Sequence, residues 1–313
     1  MTLPELIDKL HSEEACYAHL EEVRWPEGVA CVSCGSHSIS RIDRVIKKRH
    51  GQHKGETYRR TVFECNACGD QFTATSGTIF HDTHLPLRTW FLAIHRIGES
   101  KKGVSAKQLE RELGVTYKTA WYLCHRIREA LLQPKGPGLK GIVEADETYV
   151  KGASIPKGET LKRGTGSQRV TPVVGAKERG GQVRAQVMPK VSQRTIYSFL
   201  TSTIIPEAAI LHTDESSSYD LMAQILPHHV VNHSEWYVYG DVHTNGIESF
   251  WSLLKRGIVG SYHRLSVKHL QRYVDEYCWR SNHKDVADPF GEILGASARG
   301  RHITYAELVA PVA

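Results

Sequence analysis

The chain has 313 residues, 40% hydrophobic and 24% charged, with a formal net charge of +6; this is ordinary globular composition, long enough for two or three domains. No apolar run approaches the roughly 18 to 20 residues of a membrane span, and "MTLPELIDKLHSEEACYAHL" lacks the basic start and apolar centre of a secretory signal. A soluble cytoplasmic protein with no membrane partner is the expectation.

The basic excess lies in the front half: residues 1–140 hold 21 Lys+Arg against 16 Asp+Glu, and residues 141–313 hold 19 against 18. Within it, "RIDRVIKKRHGQHKGETYRR" (41–60) sets eight Lys/Arg against Asp43 and Glu56, a density that attracts phosphate. Arg59 and Arg60 close that stretch. Flanking it, "CVSCG" (31–35) and "CNACG" (65–69) repeat Cys-x-x-Cys-Gly. Two-residue spacing lets both thiolates of a knuckle point at one ion, and the glycine permits the tight turn. Cys31, Cys34, Cys65 and Cys68 thus form a closed, structural Zn²⁺ site for a ribbon too small to bury a core of its own. The alternative, a pair of redox motifs, gives no reason for the duplicated glycine. Cys16, Cys124 and Cys278 stand alone and read as small buried apolar residues.

Next, "TATSGTIFHDTHLPLRTWFLAIHRI" repeats Leu85, Leu87, Trp90, Phe91 and Ile94 at helical spacing. "GVSAKQLERELGVTYKTAWYLCHRIREALL" (103–132) then gives a short helix begun at Ser105, a turn at Gly114 and a second helix begun at Thr116. That is helix-turn-helix grammar, with Tyr117 and Lys118 at the start of the recognition helix, where base edges are met. Double-stranded DNA is the partner these two modules imply. "QPKGPGLKG" (133–141) breaks the helix and reads as a linker.

The back half starts with "GIVEADETYV" (141–150), a strand with Asp146 in its middle, Glu144 on the same face and Glu147 on the other. A charge inside an apolar strand is costly unless paired or bound to a cation. A basic loop, 151–169, leads to a hairpin in "TPVVGAKERGGQVRAQVMP", a helix capped by Ser192, a strand running into Asp214 and then a helix, a short strand at "HHVVNH", and a helix in "HTNGIESFWSLLKRG". This order predicts an α/β domain with a mixed sheet and flanking helices. Carboxylates from adjacent strands plus one from a helix can hold two Mg²⁺ ions about 4 Å apart for phosphoryl displacement. Asp146 and Asp214 are the strand candidates.

Thirty-three residues separate Asp214 from Glu248, and six separate Glu248 from Lys255. At 100° per residue, Glu248 and Lys255 differ by about 20° around their helix, and Asn245 borders the same face. Glu248 is favoured as the third ligand because a hard cation gains more from a carboxylate than from an amide. Asn245 either starts the helix or touches the site from its edge. In "KHLQRYVDEYCWRSNH" (268–283), Leu270, Tyr273 and Tyr277 are expected to pack on the sheet, with Lys268, Arg272 and Arg280 open to DNA or solvent.

Through "CVSCG…CNACG", "SGTIFHDTHLPLRTWF", "VEADETYV", "HTDESSSY", "HTNGIESFWSLLKRG" and "KHLQRYVDEYCWRSN", nearly the whole chain resembles the zinc-ribbon DDE transposases of bacterial insertion sequences. The resemblance implies a ribonuclease H-like catalytic domain and Mg²⁺- or Mn²⁺-dependent cleavage and strand transfer at terminal inverted repeats, within the bacterial nucleoid. It implies catalytic roles for Asp146, Asp214, Glu248 and Lys255, with Asn245 an alternative third ligand, and DNA contacts from Arg59, Arg60, Tyr117, Lys118, Lys255 and Arg256. Acting on two ends calls for a homodimer or larger assembly. The expected domains are 1–82 (N-terminal helix and zinc ribbon), 83–133 (helix-turn-helix), 134–141 (linker) and 142–313 (catalytic). A DNA-binding regulator with an inactive back domain and a structure-selective nuclease are the alternatives.

Overall fold

Local capping fixes most helix starts. In the computed structural model, which describes residues 1–47, 55, 57–132, 136–151, 170–231, 242–263 and 265–310, α1 (Leu3–Lys9) begins with a reciprocal Thr2/Glu5 capping box and α2 (Glu13–Arg24) with Ser12 accepting from the Ala15 N–H. Strands β1 (Ile39–Lys47), β2 (Thr57–Cys65) and β3 (Gln71–Phe72) pair antiparallel in that order. Their core is small: Phe63 and Phe72 pack with Cys31, Cys65 and Trp25. Helix α3 (Leu87–Glu99) buries Leu87, Trp90, Phe91 and Ile94, matching the apolar spacing. Helix α4 (Ala106–Leu113), capped by Ser105, ends on Gly114 at φ 63°, the left-handed conformation that glycine adopts at no steric cost. Helix α5 (Tyr117–Ala130) follows, with Thr116 accepting from the Thr119 N–H.

Two compact units divide the chain: Met1–Leu131 together with Val286–Ala313, and Leu132–Asp285. The crossing between them falls just before the expected linker. The C-terminal stretch, expected within the catalytic domain, instead belongs with the first unit. There α9 (Pro289–Arg299) buries Phe290 edge-on against Phe91, and α10 (Tyr305–Val309) sets Tyr305 edge-on to Trp121 and Tyr122.

The second unit is a mixed α/β sheet with flanking helices. It comprises β4 (Leu139–Lys151), β5 (Val170–Glu178), β6 (Val183–Val187), α6 (Gln193–Thr203), β7 (Ile204–Asp214), a 3-10 helix (Ser217–Gln224), β8 (His228–Val231), α7 (Asn245–Gly257), a π-helical turn (Ile258–Tyr262) and α8 (Val267–Asn282). Spatial strand order is β6-β5-β4-β7-β8; β4, β5 and β6 are antiparallel, and β7 and β8 run parallel to β4. The alternation of side chains along β4 separates two cores. Val143 and Ala145 pack with Ile196, Leu200 and Tyr219 on one face, and Val150 packs with Ile247, Trp251 and Tyr277 on the other. The basic stretch 152–169 lies outside the described residues.

Helix α8 closes the outer edge of β6. Gln271 accepts from Val187 N (2.7 Å) and donates to Ala185 O (3.2 Å), while Asn282 accepts from Val183 N (2.7 Å) and donates to Val183 O (3.1 Å). Side-chain amides thus satisfy backbone groups that an open edge strand would offer to another chain. Leu270, Tyr273 and Tyr277 are buried there as expected. Arg280 is not open to DNA: it is 8% exposed and bound to the buried Glu276 carboxylate at 2.6 Å.

Candidate functional site

The ribbon cysteines come together first. Cys31 and Cys68 Sγ lie 3.6 Å apart, as do Cys34 and Cys65, and all four ligand atoms lie within 4.8 Å of one another. A tetrahedral Zn²⁺ with Zn–S bonds of about 2.3 Å places its sulfurs about 3.8 Å apart, so the donor set fits. Gly35 (φ 74°) and Gly69 (φ 76°) make the knuckle turns, their N–H groups returning to the carbonyls of Cys31 and Cys65. Burial raises the Cys65 thiol, but N–H groups of Cys68 and Ala67 and its thiol neighbours outweigh it and bring the group down to about 6. A thiolate ligand is favoured there.

The acids assemble around the centre of the sheet. Parallel pairing sets Glu144 beside His212, so Asp146 and Asp214, each two residues further on, share one level and one face. Antiparallel pairing sets Asp146 against Gly175, and that glycine is needed: a Cβ there would stand 2.7 Å from the Trp251 ring. The space admits Trp251 of α7, whose Nε1 donates to Asp146 Oδ2 at 3.1 Å. Asp146 Oδ1 accepts from the Glu147 N–H at 2.7 Å. Burial pushes the Asp146 carboxyl up to about 7, and the nearby charges of Asp214, Glu147 and Glu248 add to the rise, against the Glu147 hydrogen bond. Asp214 Oδ1 accepts from Ser216 N at 3.1 Å.

Glu248 is exposed in the first turn of α7, and its Oε1 accepts from Thr244 Oγ1 at 2.7 Å. No three carboxylates among the described residues draw as close as the cysteines do. Asp214 and Glu248 each have a carboxylate oxygen on a local donor. Hard carboxylate oxygens are the donor type that Mg²⁺ or Mn²⁺ takes.

Asn245 is the first residue of α7 and is exposed; Thr244 takes the N-cap position without a side-chain cap. The helix start is capped instead by Glu144, whose Oε2 accepts from Ile247 N at 3.0 Å. Lys255 and Arg256 are exposed in the last turn of α7. In the first unit, Tyr117 is exposed, and Lys118 holds its ammonium 4.4 Å from the centre of the Tyr305 ring. Arg59 is exposed. Arg60 is half-buried and lies over Tyr17 of α2, 5.9 Å from the ring centre.

Local reading missed Trp251, Thr244 and Glu144 as site residues. The signal for Glu144 was present in its position on the Asp146 face of an apolar strand. Trp251 read only as an apolar helix residue.

A model of the ISXO2-like transposase domain matches residues 138–282, and a model of the transposase zinc-ribbon domain matches residues 11–71. A protein of the transposable element ISH50 of Halobacterium salinarum is 31% identical over 258 residues, covering 78% of this chain and 83% of its own length. Among solved structures, the pre-cleavage Mos1 transpososome is similar over 68% of this chain and 80% of that one, at 13% identity and a TM-score of 0.28. The Mos1 strand transfer complex is similar over 68% and 79%, at 13% identity and a TM-score of 0.29. Both Mos1 likenesses are slight. With a zinc-ribbon match in front, a transposase-domain match behind and a transposable-element relative across most of its length, the chain belongs to the ISXO2-like transposase family.

Proposed function

We propose that this transposase recognises the inverted repeats at the ends of its own element and cuts and joins DNA there in a Mg²⁺-dependent reaction. The observation that supports the reading is that Asp146 and Asp214 lie on neighbouring parallel strands while Glu248 stands in the first turn of α7, the helix whose Trp251 donates to Asp146. Asp146, Asp214 and Glu248 hold the cations, two Mg²⁺ or Mn²⁺ ions. Bound there, these ions supply the Lewis acidity that stabilises charge on the attacking and leaving oxygens of the phosphodiester.

The protein's own groups orient that set. Trp251 fixes one oxygen of Asp146, and Thr244 holds Glu248. Lys255, exposed two turns along α7, meets a phosphate of the bound strand, and Asn245 borders the site. Water cleaves the end phosphodiester, the released 3′-hydroxyl attacks the target, and no protein–DNA bond is needed. The zinc ribbon with Arg59, and the α4–α5 pair used as a helix-turn-helix with Tyr117 and Lys118, contact the end sequence; Arg256 adds a phosphate contact. Two ends require at least two protomers.

The test is incubation of the protein with Mg²⁺, a labelled element end and a target plasmid. Joining of the 3′ end to target supports the reading. Binding without cleavage would make the protein a regulator, and cleavage without joining would make it a nuclease.

A further inference from the structure

We propose that Glu144 is the positioning residue of the acidic site: it clamps the first turn of α7 onto β4 and so sets where Glu248 stands relative to Asp146. The inference rests on the reading of those acids as a metal site.

The first turn of a helix has N–H groups with no partner inside the helix, and an N-cap side chain usually takes one. Thr244 occupies the N-cap position of α7 but donates its hydroxyl to Glu248 Oε1 at 2.7 Å. Glu144 supplies what Thr244 does not: its Oε2 accepts from Ile247 N at 3.0 Å across 103 residues of chain. The opposite oxygen, Oε1, accepts from Arg179 Nε (3.1 Å) and Nη2 (3.0 Å) and lies 3.4 Å from His243 Nδ1. Arg179 also reaches the His243 carbonyl at 3.3 Å, just before the helix. With 1% of its surface exposed and both oxygens engaged, Glu144 acts through its neighbours and is not itself a ligand.

The contact is close enough to dictate sequence. A Cβ on Gly246 would stand 2.6 Å from Glu144 Oε2, so any side chain there must push the carboxylate away from Ile247 N. Lys177, which pairs with Glu144 across β4 and β5, donates to Gly246 O at 3.1 Å and pins the same turn. Each end of the clamp then sits beside a ligand. Asp146 is two strand residues from Glu144, about 6.7 Å. Glu248 is one helix residue from Ile247, a rise of about 1.5 Å. A slip of the α7 start moves the third ligand while the strand ligands stay.

The experiment is a calorimetric titration of the full, zinc-loaded chain with Mn²⁺ alone, alongside circular dichroism. A thiolate set disfavours Mn²⁺, so the ribbon does not compete. Glu144→Ala and Gly246→Ala are expected to weaken Mn²⁺ binding at least tenfold, as loss of groups that orient ligands does. Glu144→Gln, which keeps an acceptor for Ile247 N, recovers most of it. In a Glu248→Gln background, Glu144→Ala costs less than threefold more, because its effect runs through Glu248. Wild-type affinity in folded Glu144→Ala and Gly246→Ala would overturn the proposal, as would full additivity with Glu248→Gln. If Glu144→Ala does not fold, the same cycle with Gly246→Ala decides. Unchanged Mn²⁺ binding in Asp146→Asn would instead overturn the metal-site reading beneath it.

Discussion

Asp146 holds its proton near neutrality, where an ordinary aspartate has lost it: burial first, then Asp214, Glu147 and Glu248, raise it from 3.8 to about 7. A carboxyl raised in the folded state binds protons more tightly folded than unfolded. Its contribution to stability therefore falls as pH rises from about 4 to about 7 in the metal-free protein. In the proposed metal site a divalent cation displaces that proton, so Mn²⁺ affinity is expected to climb through pH 5.5–7 and level off above. Calorimetric titrations across that range check this; a flat profile would contradict it. Trp251→Phe removes the indole donor to Asp146 Oδ2, an interaction worth about 1.5–3 kcal/mol for a charged acceptor. The plateau is expected to begin at higher pH in that variant, measured by the same titrations. The positions of Asp146 at a strand centre, Asp214 at a strand end and Glu248 at a helix start were legible in the sequence because each carries a local signal. Trp251 and Thr244 were not, since their roles depend on partners that only the packed sheet brings near.

Among the elements, α7 and the ribbon show how little tolerance the site has. Gly175 leaves the gap that Trp251 fills, and a methyl group there meets the ring at 2.7 Å. Gly175→Ala is expected to destabilise the second unit by about 1–3 kcal/mol, the usual penalty for overpacking, read as a drop in its thermal midpoint. In the ribbon, the core among the described residues is Phe63 and Phe72 beside Cys31 and Cys65, with Trp25, Val29 and Ile39 packed against it. Zinc supplies folding energy in such a module. Chelation, or Cys65→Ser, is expected to abolish one equivalent of bound zinc and unfold the ribbon, followed by metal analysis and Trp25 fluorescence, while the second unit keeps its transition. The knuckles were legible because both ligands of each pair are local. The cap on α7 was not: "HTNGIE" offers Thr244 and Asn245 as caps, and a carboxylate 103 residues away takes the part.

For the molecule as a whole, the alternation of strands and helices gave the mixed sheet, while the division between units falls at Leu131/Leu132, ahead of the Pro/Gly break at 133–141. The last segment carried no such signal. Its return to the first unit rests on contacts such as Phe290 with Phe91 and the Tyr122 hydroxyl on Ile303 O at 2.7 Å, which no local period encodes. Truncation after Asp285 is therefore expected to lower the thermal midpoint of the first unit by several degrees and spare that of the second, as resolved by differential scanning calorimetry. The proposed function has Asp146, Asp214 and Glu248 acting together as one site for breaking and joining DNA. It is tested most directly by strand transfer of a labelled element end, with Mg²⁺, by the wild type and by Asp146→Ala, Asp214→Ala and Glu248→Ala, with end binding measured in parallel. Each variant is expected to bind the end as the wild type does and to lose cleavage and joining by about 10³-fold or more, a loss of about 4 kcal/mol in transition-state stabilisation. Strand transfer at wild-type rate by any of the three would contradict it.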